Sequence, residues 1–370
     1  MTTINEALQN EAISHRLYLA RYELNVAGKM LKVLNDADAE LSARLLVALE
    51  EMPRGNFTTE RIISMLGSVR QLNQELVDTW HSSLTSELLA FSEYEAGYQY
   101  GLFDALFPEV VKRKYPLFSV TSQQVFAAAT AEPFQGKLLK DWADNLETDR
   151  LTRLANTVRN GFLLGDTNEQ IARSVRGTRV RGYKDGVLEV SRRNASAIAR
   201  TAVSHTAAVA RDEFAEQNSD YIKGKKWLST LDTRTTSTCQ IRDSKRYTLD
   251  NKPVGHKIPY GAGPGRIHFC CRSTETLITK SWREMGIDID DMPSGTRSSM
   301  DGQVPTNTTY LEWLKNQPAA RQDEILGPTR SKLMRNGGIS PESFYTDSGK
   351  WLTLEQLRER DAQAFREAGL

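Results

Sequence analysis

Long apolar runs are absent from this sequence: no stretch reaches the roughly 18 uninterrupted apolar residues that a membrane span needs, so no membrane partner is expected. The first residues, MTTINEALQNEAISHR, carry no apolar signal-peptide core, and the expectation is a chain made in the cytosol. Cysteine is scarce. Cys239, Cys270 and Cys271 are odd in number and lie close together, which argues against a secreted disulfide framework and makes reduced thiols the default. Charge of one sign is also missing: 48 Lys+Arg against 47 Asp+Glu leave a net charge of +1, so the whole surface is not built to hold nucleic acid and any DNA contact must be local. There is no Gly-rich phosphate loop ending in Lys-Ser/Thr, no HExxH and no GxSxG, which leaves nucleotide hydrolysis and the common hydrolases without support.

What is present describes an ordinary globular protein. At 370 residues, two or three domains are the prior, and 39% hydrophobic with 26% charged residues is neither low-complexity nor disordered. From Ile4 to about Leu106 the chain is nearly free of proline and reads as long helices broken once at Pro53, Arg54, Gly55 and Asn56. After a cap at Thr58, the residues Ile62, Leu66, Val69, Leu72, Leu76 and Trp80 recur at steps of three and four, one face of a helix. A second stripe, Leu139, Trp142, Leu146, Leu151, Leu154 and Val158, ends at Gly161 and Gly165, and Asp166 and Thr167 cap a short helix to Gly177. Ala195 to Gln217 is alanine-rich and helical.

From Lys225 the texture changes. Trp227, Leu228, Thr230 and Leu231, then Tyr247, Thr248 and Leu249, then Ile267, His268 and Phe269 are short strand candidates between turn residues. Asp288 to Thr308 shows little periodicity and reads as an extended connector, after which Thr309 with Glu312 and Thr353 with Gln356 fit the capping-box spacing. The expected fold class is therefore α+β, predominantly α-helical with a small mixed α/β unit around residues 225–280. The segments are 1–115, N-terminal helical; 116–224, helical with a basic stretch; 225–287, the small α/β unit; 288–308, the connector; and 309–370, a helical tail.

Two groups of residues can carry chemistry. Between Arg173 and Arg200 lie eight basic residues against Asp185 and Glu189, the most basic stretch of the chain. Arg176, Arg179, Arg181, Arg192 and Arg193 are the candidate DNA contacts, because arginine forks pair with phosphate oxygens, and the alternative is a solvated face. Cys239, His256, His268, Cys270 and Cys271 form the second group. Cys239, His268 and Cys271 can furnish tetrahedral zinc ligands, although Cys239 has no second cysteine near it as strong zinc modules do. Buried reduced cysteines, or a Cys/His nucleophile pairing His268 with Cys270 across a strand, are the other readings. Asp232 and Arg234, with Arg272, can form an ion clamp for the small unit.

LDTRTTSTCQIRDSKRYTL followed by GPGRIHFCCRST resembles the phage Mu F-like minor head, or head morphogenesis, family. Asp232, Arg234, Thr235 and Cys239 fit the first part of its motif, and Pro264, His268, Cys271, Arg272, Ser273 and Thr274 the second. The preceding helix IARTAVSHTAAVARDEFAE, with Arg200 and Thr201, and the tail segments MDGQVPTNTTYLEWL, EILGPTRSKLMRNG and LTLEQLRERD are also similar, so the resemblance runs from about Leu138 to the end. Some relatives carry further cysteines where Thr235 and Ser273 stand here, which weakens the zinc reading.

The resemblance implies a non-enzymatic minor head protein of a tailed bacteriophage, present in few copies in the virion, in the capsid interior or near the portal, after assembly in the host cytoplasm. Its implied partners are the portal protein, the major capsid protein and packaged double-stranded DNA, with self-association in the virion a further expectation. No cofactor is expected, zinc being the exception weighed above. The alternative function is a zinc- or Cys/His-dependent hydrolase carried by the phage.

Overall fold

Without proline, every backbone N–H from Ile4 to Glu50 and from Thr59 to Leu106 can join a helical ladder, and each stretch is one helix: α1, Ile4–Glu50, and α2, Thr59–Leu106. The computed structural model describes residues 4–51, 59–287, 296–305 and 307–370. The break at Pro53 to Asn56, the Thr58 cap and the side chain of Ile62 lie outside the described residues. The rest of the α2 stripe, Leu66, Val69, Leu72, Leu76 and Trp80, is buried as its spacing requires. Next come α3, Glu109–Lys114, α4, Ser122–Ala131, α5, Leu139–Leu164, α6, Asn168–Arg176, and α7, Leu188–Gln217. Gly165 ends α5 in the left-handed conformation, and Thr167 and Gln170 close a capping box at the start of α6. Among the described residues no helix is long and apolar enough to cross a membrane.

The chain divides into two compact units. One comprises Arg21–Glu93 and Ser122–Thr206 and is helical throughout its regular elements. Its core joins Leu41 and Leu45 of α1, Val69 and Leu72 of α2, Leu154 and Val158 of α5, and Ile171 and Val175 of α6. In α5 the buried positions run Leu139, Ala143, Leu146, Arg150, Leu154 and Val158, whereas Leu151, placed on the stripe by its apolarity, is only half-buried. The helical period puts residue 150 in line with Leu146 and Leu154, so an arginine occupies a core position. Arg150 is fully buried; its Nε donates to Asn73 Oδ1 at 2.8 Å and its Nη2 to Asp38 Oδ1 at 2.5 Å. Arg192 of α7 donates to the other oxygen of Asp38 at 3.1 Å, and Asn73 donates onward to the Glu147 carbonyl at 3.2 Å.

The other unit comprises the chain up to Ala20, Tyr94–Thr121 and Ala207–Leu370. It holds the small β structure: β1, Ile222–Leu228, β2, Arg246–Tyr247, β3, Pro253–Val254, and β4, Thr274–Thr279, antiparallel in the order β3-β2-β1-β4. The α+β class, predominantly helical with a small unit near residues 225–280, is therefore observed. Its strands correct the sequence reading in part. Trp227, Leu228 and Tyr247 lie in strands, but Thr230, Leu231, Thr248 and Leu249 do not, and Ile267, His268 and Phe269 form a turn closed by Cys271 N donating to the His268 carbonyl at 3.2 Å. The strand of that region is β4, TETLIT, buried at nearly every position. A strand covered on both faces shows no alternation for periodicity to detect.

The connector reading of 288–308 is corrected as well, because it contains a hairpin of β5, Thr296–Ser299, and β6, Gly302–Pro305. Its strands are polar and short, so only the Asp301-Gly302 turn carries a sequence signal. That turn is tied down by Met300 N donating to the Leu231 carbonyl and by Trp313 Nε1 and Arg321 Nη1 donating to the Asp301 carboxylate. One short helix, α8, Ser237–Gln240, lies between β1 and β2, and five more, α9, Tyr310–Lys315, α10, Ala319–Leu326, α11, Pro328–Arg335, α12, Leu354–Arg360, and α13, Ala362–Glu367, form the tail. Thr309 and Thr353 cap α9 and α12 through the boxes their spacing indicates.

Arg150→Met leaves the Asp38 carboxylate with one buried partner fewer, and a loss of about 3 kcal/mol in chemical denaturation is expected. Arg153→Ala removes a partly exposed pair with Asp149 one turn along the same helix and is expected to cost less than about 0.5 kcal/mol. Equal losses in the two variants would mean that the buried charge is no costlier to unpair than the surface one.

Candidate functional site

The motif residues of the small unit converge on Asp232. Arg272 grips its carboxylate with both Nη1 and Nη2, the second at 2.7 Å, a fork-to-carboxylate geometry that fixes orientation as well as charge. Asp232 Oδ1 also accepts from Arg234 N at 3.0 Å and from Thr235 Oγ1 at 3.2 Å. Burial raises the Asp232 pKa, but the Arg272 hydrogen bonds and charge outweigh it and hold the carboxyl below its ordinary value. Arg234 corrects the expected three-membered clamp: it contributes its backbone N–H, and its side chain is exposed. The carboxylate of an Asp accepting from the N–H two residues on forms a local turn that points the intervening chain outward.

Several residues of this site carried no sequence signal. Tyr310, at the start of α9, donates its hydroxyl to the Asp232 carbonyl at 2.7 Å and its backbone N–H to Asp243 Oδ2 at 2.8 Å. Asp243 also accepts from Ser229 N at 2.6 Å, so it links the end of β1 to the tail helix across long sequence separations. On the other side, the half-buried Asp212 is met by Lys225 and Arg266, and Glu275 accepts from Tyr260 Oη at 2.6 Å. Beside the Asp232–Arg272 pair lies a mainly apolar cavity of about 200 Å³ whose lining includes Ile13, Leu17, Leu228, Leu231, Thr274 and Met300.

Cys239, His268 and Cys271 come together, with their Sγ and ring-nitrogen atoms all within 4.8 Å of one another. Cys239 Sγ is 3.7 Å from Cys271 Sγ and 3.3 Å from His268 Nε2, and both cysteines are buried. His268 Nδ1 faces the Phe269 carbonyl at 3.0 Å, which assigns its proton to Nδ1 and turns Nε2 toward the thiols and Thr236 Oγ1. The Cys239 thiol, His268 and the Ser273 backbone all stabilise a thiolate on Cys271, whose pKa is drawn down against the effect of burial. His256 stands outside the cluster, bonded to the Arg246 carbonyl at 2.9 Å, and Cys270 lies in a turn at φ 54°, so the strand expected to pair His268 with Cys270 does not form.

The basic stretch separates into two kinds of arginine. Arg192 is buried among Asp38, Glu189 and the Tyr183 carbonyl and is withdrawn from the candidate DNA contacts. Arg200 lies 3.9 Å from the buried Glu23. Arg179, Arg181 and Arg193 are exposed, and Arg176 stacks on the Tyr183 ring at 4.5 Å. Arg179 and Arg181 sit on a loop closed at its base by Asp185, which accepts from Thr178 N at 2.7 Å and Thr178 Oγ1 at 2.8 Å; these bonds hold the Asp185 carboxyl below its ordinary range. Gly177 and Gly186 meet there so closely that a Cβ on Gly186 would lie 2.2 Å from the Arg176 carbonyl carbon.

In comparison with known families, residues 152–276 match the model of the family described as phage Mu protein F like protein. That span, about a third of the 370 residues, contains Arg200, Asp232, Arg234, Cys239, His268, Cys271 and Arg272, while the similar tail segments lie beyond it. The chain thus carries a phage Mu F-like domain, whose phage head morphogenesis context bears on its function. No curated protein and no solved structure matches the chain.

Because the folded Asp232 pKa lies below the unfolded one, its contribution to stability is present above the ordinary carboxylate value, about 3.9, and is lost as pH falls through the lower folded value. Asp232→Asn is expected to lose about 2 kcal/mol at neutral pH and to flatten that acid dependence. Arg234→Ala is expected to change the denaturation midpoint little at any pH. An Asn variant with an unaltered acid profile would remove Asp232 from the stabilising groups.

Proposed function

We propose that the chain is a minor head protein of a tailed bacteriophage, built into the capsid near the portal and acting in head assembly by docking and electrostatics rather than by catalysis. The observation that carries this reading is the phage Mu F-like match over residues 152–276, which contains the ion clamp and the Cys/His cluster in motif order. The geometry agrees with a structural role. Asp232, Arg272, Tyr310 and Asp243 form a network that joins β1, the turn before β4 and the first tail helix, and such bidentate and backbone bonds fix positions without leaving a polarised nucleophile exposed. The capsid and portal proteins are the partners in this reading, and packaged DNA meets the exposed arginines.

The DNA contact rests on the exposed Arg179, Arg181 and Arg193, with Arg176 held on the Tyr183 ring. The near-neutral net charge makes such a contact weak and local, contributing positioning rather than sequence readout. Mass spectrometry of purified particles is expected to find this chain at a few copies for each portal ring, and its absence from particles would overturn the reading. In the same particles, replacing Arg179, Arg181 and Arg193 by Gln is expected to leave incorporation intact and to lower duplex DNA binding by the purified chain by roughly tenfold at moderate salt, with a shallower salt dependence. Unchanged DNA binding would remove these three arginines from the interface while leaving the head assignment standing.

A further inference from the structure

We infer that Cys239, His268 and Cys271 form a zinc site that pins α8 to the turn preceding β4. The three ligand atoms come from two segments 29 to 32 residues apart in sequence, all within 4.8 Å of one another, and the two edges that meet at Cys239 Sγ are close to those a tetrahedral ion requires. With zinc arms of about 2.3 Å to sulfur and 2.0 Å to nitrogen, a tetrahedron has a sulfur-to-sulfur edge of about 3.8 Å and a sulfur-to-nitrogen edge of about 3.5 Å. The observed separations are 3.7 Å and 3.3 Å. Both cysteines are buried, at 2% and 0% exposure, so the ion would sit where an uncompensated charge is costly. Two thiolates balance the charge of a zinc ion, and the assembled site is neutral.

The surroundings orient the ligands as metal sites do. The Nδ1 proton of His268 is held by the Phe269 carbonyl, which leaves the Nε2 lone pair for the ion. The Cys239 carbonyl accepts from Ser229 Oγ at 2.8 Å, and Ser229 Oγ accepts in turn from Trp227 Nε1 at 3.1 Å, so the helix that carries Cys239 is fixed from behind. Among the described residues no fourth His, Cys, Asp or Glu joins the three. The fourth position is left to water on the side of Thr236, the exposed edge of the cluster. Soft sulfur with imidazole selects zinc over magnesium or calcium, and uptake releases the protons that the two sulfurs still carry. The site holds the segment next to Arg272, so zinc secures the residue that grips Asp232. This inference stands apart from the assignment to the phage head, because it rests only on the cluster.

The test uses the full chain purified under reducing conditions with zinc supplied and the excess removed. Elemental analysis is expected to give close to one zinc per chain, with Cys239→Ser and Cys271→Ser losing nearly all of it. Should the serine variants fail to fold, cobalt(II) added to the metal-free wild-type chain supplies the independent measurement. The expected spectrum has the intense visible absorption of tetrahedral cobalt and a thiolate-to-cobalt charge-transfer band, and His268→Ala weakens apparent metal affinity at least tenfold. A folded wild-type chain with both thiols titratable, no zinc and no tetrahedral cobalt spectrum overturns the site. Zinc retained undiminished in a folded Cys271→Ser variant overturns it equally.

Discussion

A charge buried in a protein must meet its counter-charge there, and much of this molecule is arranged around that constraint. Asp38 is almost fully buried, and it is tolerable because Arg150 and Arg192 approach its two oxygens from different helices. The pairing prescribes how α1, α5 and α7 must register within their unit, since a helix shifted by one residue would carry its arginine out of reach. In the other unit Asp232 with Arg272 and Asp212 with Lys225 and Arg266 do the same for loops and strands too short to hold themselves by ladder bonds. Apolar burial supplies cohesion in both units, and these pairs supply the unique arrangement.

The same constraint sorts the arginines by role. A cluster of basic residues in sequence suggests a surface for phosphate, yet Arg192 is consumed inside the fold by Asp38 and Glu189. Arg176 is spent partly on Tyr183, which stiffens the root of the loop. Only Arg179, Arg181 and Arg193 remain as exposed cations of the original five candidates. The loop that carries Arg179 and Arg181 is closed by Asp185 and by the contact of Gly177 with Gly186, so these two cations are presented on a framework, and Arg193 is presented on α7.

The phage Mu F-like domain contains nearly all the chemistry-bearing residues, but its site is completed from outside the matched span. Tyr310 belongs to the tail and bonds to the Asp232 carbonyl, and the hairpin turn before it bonds to Leu231 through Met300 and to Trp313 through Asp301. A tail that supplies hydrogen bonds to the motif residues belongs to the same compact unit as the motif.

By itself the sequence determined where helices start and stop and which class of fold results. The proline-free stretches, the 3.6-residue stripe of α2, the glycine after α5 and the Thr caps at 167, 309 and 353 are local signals, and each acts through bonds within a few residues of itself. The sequence also brought Cys239, His268 and Cys271 into one list by residue type, together with His256 and Cys270. Only the tertiary structure separated the three that meet from the two that do not, and it placed Arg150 rather than Leu151 in a core. It likewise moved Arg192 inside, replaced the Arg234 side chain by its backbone, and built a hairpin from polar residues in a segment without periodicity. In most of these cases the deciding partner lies tens of residues away, as Asp38 does for Arg150 and Arg192, or the deciding fact is burial on both faces, as for β4. No local pattern encodes either.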